Sequence, residues 1–321
     1  MPRITPLPEA LGDVFTVDDA RGSGVGIGRL RGSDLQAPFR GVRARLRLED
    51  PHADPYERSS HATMHRIRAY SARMRSGEFF AYETAVRVYG GPLPSHIGRE
   101  IRPLDIGVFD GAPLPRAAGV RGRRLTPAMT KVVAHEGFAA SSPASTWAML
   151  GRWDLVDLVA LGDYFCRVWR VGVGRPNAGA DPLATTQQLS AALGAGRRRI
   201  GGPTLRAALD LIREDSWSPR ESACRVHLVR GGLPDPELNL DLFDAGGVFL
   251  GCVDLAYPQW KVAVEYQGSI HGLTYAEDIE RIERLRADGW IIIQVSSALH
   301  AQPRELVSRV ARALRSRGWR G

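Results

Sequence analysis

The run ELNLDLFDAGGVFLGCVDLAYPQWKVAVEYQ, residues 237–267, decides the fold. It reads as three strands, at about 236–243, 247–255 and 261–267, with Asp244-Ala245-Gly246-Gly247 as a hairpin turn between the first two. Ala256-Tyr257-Pro258-Gln259 turns the second strand into the third. Upstream, Ser218-Pro219-Arg220-Glu221 places an N-cap serine, a first-turn proline and a third-position glutamate in register, so a helix runs from there to about Arg230 and stops at Gly231-Gly232. Downstream, Thr274 and Glu277 form a capping box for a helix to Asp288. Ile279, Ile282 and Leu285 make its buried stripe and Gly289 is its stop. Trp290–Val295 is a continuous apolar run, the pattern of a strand buried on both faces. Pro303 to Arg315 closes the chain as a helix with Leu306, Val310 and Leu314 inward.

The order is helix, three strands, helix, strand, and its acids are placed. Side chains alternate along a strand, so Glu265 and Gln267 share a face. Asp254 ends the neighbouring strand. One carboxylate from each of two adjacent strands can surround a hard divalent ion, and Mg2+ (or Mn2+) suits such a sparse oxygen set. Glu221, on the preceding helix, adds a further ligand or holds a water. Asp278 and Arg281 are one turn apart and read as an i,i+3 ion pair.

Asp254, ten residues, then Glu265-x-Gln267 within this order resembles the PD-(D/E)XK nuclease superfamily. The runs Val253–Pro258 and Val264–Gly268, with His271, are more specifically similar to the very-short-patch-repair-like endonuclease domains of actinobacterial proteins, over about residues 215–315. Asp278, Arg281, Leu285, Gly289 and Trp290 extend the match. The resemblance implies a restriction-endonuclease-like core, with Asp254 and Glu265 as metal ligands and Glu221 as an accessory acid. Gln267 would stand where the family carries lysine, near the attacking water, and His271 would act either as general acid/base or as a phosphate contact. An amide carries no charge and is no effective base, so Gln267 would orient water or donate to a phosphate oxygen.

The chain has 321 residues, 43 Lys+Arg against 35 Asp+Glu, and a net charge of +8. Nearly all the cations are arginine, which suits phosphate but also follows from a genome rich in Arg and Ala codons. Cys166, Cys224 and Cys252 have no metal spacing and read as small core residues. No stretch approaches the roughly 18 apolar residues of a membrane helix, and the N-terminus does not read as a signal peptide. A cytoplasmic α/β (α+β, multidomain) protein without a membrane partner is expected.

Residues 1–50 read as a small module: Thr16 caps a helix, Val25–Leu30 forms a second short one, and Pro38–Arg43 alternates like a basic wing. A winged helix-turn-helix and a generic helical cap both fit. Residues 56–170 read as a mixed α/β region, 171–202 as a linker, and 203–321 as the endonuclease-like domain. His61 and His65 stand i,i+4, a metal-ligand spacing without an evident third ligand. Residues 1–165 more weakly resemble the antitoxin-type region of AbiEi-like abortive-infection proteins. That implies DNA and a toxin or other protein as partners, either for an active endonuclease or for a regulator whose nuclease-like domain is catalytically silent.

Overall fold

The structure, a computed structural model, describes residues 5–46, 52–173, 175, 177–195, 199–267 and 275–321, with no account of the side chains of 275–277. His271 and the expected Thr274–Glu277 capping box therefore lie outside the described residues. The chain is mixed α/β and forms two compact units, residues 1–150 with 191–200, and 151–190 with 201–321.

The first unit holds two sheets. Strand β1 (Val14–Thr16) leads into helix α1 (Val17–Gly22), where Thr16 and Asp19 make a reciprocal capping box. Strands β2 (Leu35–Gln36) and β3 (Val42–Arg45) complete a three-stranded sheet of order β1-β3-β2. The expected second helix is only a 3-10 turn over Arg29–Arg31. Gly22, Gly24, Gly26 and Gly28 each disfavour helix by about 1 kcal/mol relative to alanine, which explains the shortfall.

The second sheet follows helix α2 (Pro55–Ser71) and has the order β6-β5-β4-β8-β7. Its strands are β4 (Phe79–Phe80), β5 (Leu104–Val108), β6 (Val120–Arg124), β7 (Val132–His135) and β8 (Phe138–Ser141). Helices α3 (Tyr82–Val88), α4 (Ser95–Gly98) and α5 (Pro143–Met149) accompany them. Asp105 on β5 is fully buried and accepts both Arg121, at 2.7 and 2.9 Å, and Arg123, at 2.7 Å.

In the second unit, helix α6 (Leu155–Cys166) packs on α8 (Gly202–Leu211) and α9 (Pro219–Arg230). It thus sides with the C-terminal part of the chain, although its sequence reads as the end of the middle region. A short helix, α7 (Thr186–Gly194), occupies part of the stretch that reads as linker. Four strands follow the start of α9: β9 (Glu237–Phe243), β10 (Phe249–Tyr257), β11 (Val262–Tyr266) and β12 (Ile291–Val295), with α10 (Tyr275–Ala287) before the last. The sheet order is β12-β11-β10-β9, antiparallel except for the parallel β11–β12 pair. Helices α11 (Ser297–His300) and α12 (Pro303–Ser316) end the unit.

One sheet face, through Leu255, Val262 and Val264, meets Cys224 and Leu228 of α9 and Leu306, Val310 and Leu314 of α12. The other face, through Ala256 and Ala263, meets Leu285 of α10 and Trp290, in a cluster that also takes in Val253. Two burial expectations are corrected. Among the described residues strand β12 is at the edge of its sheet, and its apolar run is mostly half-buried rather than covered on both faces. Ile279 is exposed, and Ile282 and Leu285 alone of the expected stripe are buried.

The α6–α9 contact encloses an ion pair, Arg225 Nη2 to Asp163 Oδ2 at 2.8 Å, both side chains at or below 1% exposure. Asp163 Oδ1 also accepts the Arg213 amide at 2.8 Å. Removing one partner strands a charge where water cannot reach it. Asp163→Ala is expected to lower unfolding free energy by about 3–5 kcal/mol, read by urea titration. A loss near zero would show that α6 is not held to α9 by this pair.

Candidate active site

The β-sheet register brings the expected acids together. The pairs Leu255↔Val264 and Ala256↔Ala263, continued by one step, set Asp254 opposite Glu265 on one face. Asp254 Oδ2 accepts the Tyr266 amide at 2.7 Å, which fixes the carboxylate across the strand gap. On the other side, the pairs Leu238↔Leu255 and Leu240↔Val253 place Asn239 opposite Asp254.

Asn239 is buried and has φ +45°, in the left-handed region that asparagine tolerates better than most residues. The turned backbone sends its side chain toward α9. Its Nδ2 donates to the Asp215 carbonyl at 2.6 Å and to Glu221 Oε2 at 3.1 Å. Glu221 Oε2 also accepts the Trp217 amide at 2.9 Å, and its own amide is held by the Ser218 hydroxyl at 3.1 Å. The N-cap that starts α9 therefore also positions its acid.

Three carboxylates, Glu221, Asp254 and Glu265, now share one electrostatic neighbourhood. Glu221 and Glu265 are buried and Asp254 is half-buried. Burial first, then the charges of Glu221 and Glu265, push the Asp254 carboxyl up to about 8, against the pull of the Tyr266 amide and Arg281. Relief comes from α10. Arg281 forks onto Glu265 with Nη1–Oε1 at 2.5 Å and Nη2–Oε2 at 3.0 Å. The expected Arg281–Asp278 pair exists at 3.5 Å, but Glu265 is the principal partner.

Gln267 follows β11, half-buried, and its amide donates to the Val295 carbonyl at 3.0 Å. Among the described residues no group of three His, Cys, Asp or Glu side chains is arranged around one point as metal ligands commonly are. His61 and His65 both lie on α2, and His65 Nε2 is 3.4 Å from Gln36 Nε2. The donor chemistry nevertheless suits a dication. The oxygens are hard carboxylate donors, the charges of Glu221 and Glu265 both act on Asp254, and the Arg281 guanidinium stands in as a cation at Glu265.

Several residues at this site were not singled out from sequence. Arg175, in the stretch that reads as linker, has a side chain only 2% exposed. It reaches the Asn239 carbonyl at 2.8 Å and Asp241 at 2.6 Å, and lies over the Trp217 ring. Arg170 donates to the same carbonyl at 3.0 Å and pairs with Asp215. Beside Asp254, Tyr266 packs edge-on against His300, while Arg220 lies over the Tyr266 ring and 3.3 Å from His300 Nδ1. Burial and the charge of Arg220 push His300 down to about 4, so its imidazole is neutral at physiological pH. No local sequence signal marks these residues, because each is recruited by chain distant in sequence.

Comparison with known proteins gives sparse company. No family model and no solved structure matches the chain. It is similar to uncharacterised proteins of Mycobacterium tuberculosis, from strains CDC 1551 / Oshkosh and ATCC 25618 / H37Rv, each 32% identical over 122 residues. That stretch is 37% of this chain, and the chain spans 45% of the length of either relative.

The raised Asp254 carboxyl fixes a pH dependence. Its folded value, about 8, exceeds the unfolded value near 3.8, so the folded state holds an extra proton between them. Stability without added metal is therefore expected to fall as pH rises from about 4 to about 8. Asp254→Asn should flatten this slope and exceed wild type at pH 8 by about 1 kcal/mol or more, measured by denaturant titration at several pH values. Parallel wild-type and Asp254→Asn profiles would contradict the assigned neighbourhood.

Proposed function

We propose that the protein is a metal-dependent DNA endonuclease with a PD-(D/E)XK-type, restriction-endonuclease-like core in residues 203–321. The observation that carries this reading is the placement of Asp254 opposite Glu265, with Glu221 in reach, on the helix–three strands–helix–strand order. The resemblance noted for the sequence agrees with it.

Asp254 and Glu265 would hold Mg2+ or Mn2+, with Glu221 as a third oxygen source. Bound there, the ion would polarise a phosphodiester and lower the pKa of an attacking water. The chain's own contribution is placement. The Tyr266 amide aims Asp254, Asn239 and the Trp217 amide aim Glu221, and the strand pleat sets Glu265 beside them. Gln267, uncharged, orients the water or donates to a phosphate oxygen.

DNA as partner is supported by the net charge of +8 and by the N-terminal module. There, Arg21, Arg31 and Arg40 are exposed around the three-stranded sheet. That module also favours a second reading, a DNA-binding regulator of the antitoxin type with a silent nuclease-like domain and a toxin or other protein partner.

Supercoiled plasmid incubated with Mg2+ or Mn2+ distinguishes the two. Nicking is expected, with a loss of at least about a hundredfold in Asp254→Ala or Glu265→Ala, since even outer-shell partners of a metal site are worth up to that much. Equal cutting by wild type and both variants would contradict the assignment. No cutting in either metal, with DNA binding that weakens steeply with salt, would leave the regulator.

A further inference from the structure

We propose that Arg281 is a tethered counter-cation: it holds Glu265 in the metal-free protein, yields it to a divalent ion, and then turns its fork to the phosphate of the bound strand. The inference rests on the reading above and deepens it.

The guanidinium takes both oxygens of Glu265, at 2.5 and 3.0 Å, and also donates to the Cys252 carbonyl at 3.2 Å. It cannot neutralise by losing a proton at any accessible pH. A metal ion at Glu265 and the fork on Glu265 therefore compete for the same lone pairs.

The two partners differ in freedom. Glu265 sits on an inner strand of the sheet with its side chain 7% exposed, whereas the Arg281 side chain is 25% exposed. Helix α10 is anchored through Ile282 and Leu285, so the exchange is a swing of one long side chain rather than a shift of the helix. The path of that side chain is built into β10. A Cβ at Gly251 would lie 2.9 Å from both Cγ and Cδ of Arg281, closer than carbon atoms approach, so glycine there leaves the lane open.

Charge gives the swing a destination. Glu265, Asp278 and Asp254 surround the guanidinium, and an approaching phosphodiester adds another negative charge. Once a dication balances the acids, the displaced fork finds in phosphate the same bidentate geometry it had with carboxylate. Asp278, at 3.5 Å and half exposed, is a second carboxylate beside the guanidinium.

The test uses the full-length protein. Mg2+ and Mn2+ are titrated calorimetrically without DNA, and a labelled DNA duplex is titrated by anisotropy in Ca2+ and in EDTA. Arg281→Gln is expected to bind either metal at least about tenfold tighter, because a competing charge is gone. In Ca2+ it should bind DNA several-fold more weakly than wild type, and in EDTA equally. A merely structural role would lower both affinities together.

If Arg281→Gln does not fold by circular dichroism, Arg281→Lys decides: its single ammonium cannot fork both oxygens, so a smaller gain in metal affinity is expected. Unchanged or weaker metal binding by the folded variant overturns the inference alone if wild type binds metal. Absence of metal binding in every form overturns the endonuclease reading with it.

Discussion

Like charges confined to a water-poor space are the constraint on which the second unit is organised. Glu221, Asp254 and Glu265 come from a helix and two strands, and each is aimed by a donor that belongs to another element. Such an arrangement is unfavourable unless something positive joins it. The protein meets this in two ways: Asp254 keeps a proton, and Arg281 reaches across from α10. A sheet built only for stability would put apolar side chains at these positions, as it does at Val253, Ala256 and Ala263.

The same economy of buried charge recurs. Arg225 and Asp163 join α6 to α9, and Asp105 gathers Arg121 and Arg123 on the first unit's larger sheet. Guanidinium groups bring several donors to one carboxylate, so a buried acid can be satisfied by one or two partners. The high arginine content thus has structural uses in addition to any contact with nucleic acid.

Much of the C-terminal unit was legible in its sequence because the signals are local. The Ser218 cap, the Asp244–Gly247 turn and the Gly289 stop each act within a few residues, and each stands where expected. The face shared by Asp254 and Glu265 follows from strand alternation and a tight connection. What escaped was set at long range. The apolar run of β12 gives no sign that, among the described residues, it has a strand on one side only. Asn239 reads as an ordinary strand residue until its positive φ is seen, and Arg175 reads as linker until it is found over the Trp217 ring. The Asp278–Arg281 spacing suggests a helix-surface pair, yet it cannot show that Gly251 opens a way to Glu265. In the N-terminal module the Thr16 cap is legible in the sequence, and so is the alternation of glycines that denies a second helix.

We propose that these carboxylates form one cation site, with Arg281 as its resident occupant. Crystals grown without metal and then soaked in Mn2+ test it most directly, because manganese is located by its anomalous scattering. A peak bounded by the carboxylates of Asp254 and Glu265 is expected, with Arg281 moved off Glu265. Manganese bound elsewhere, or no peak at saturating Mn2+ with the Arg281–Glu265 fork intact, would contradict it.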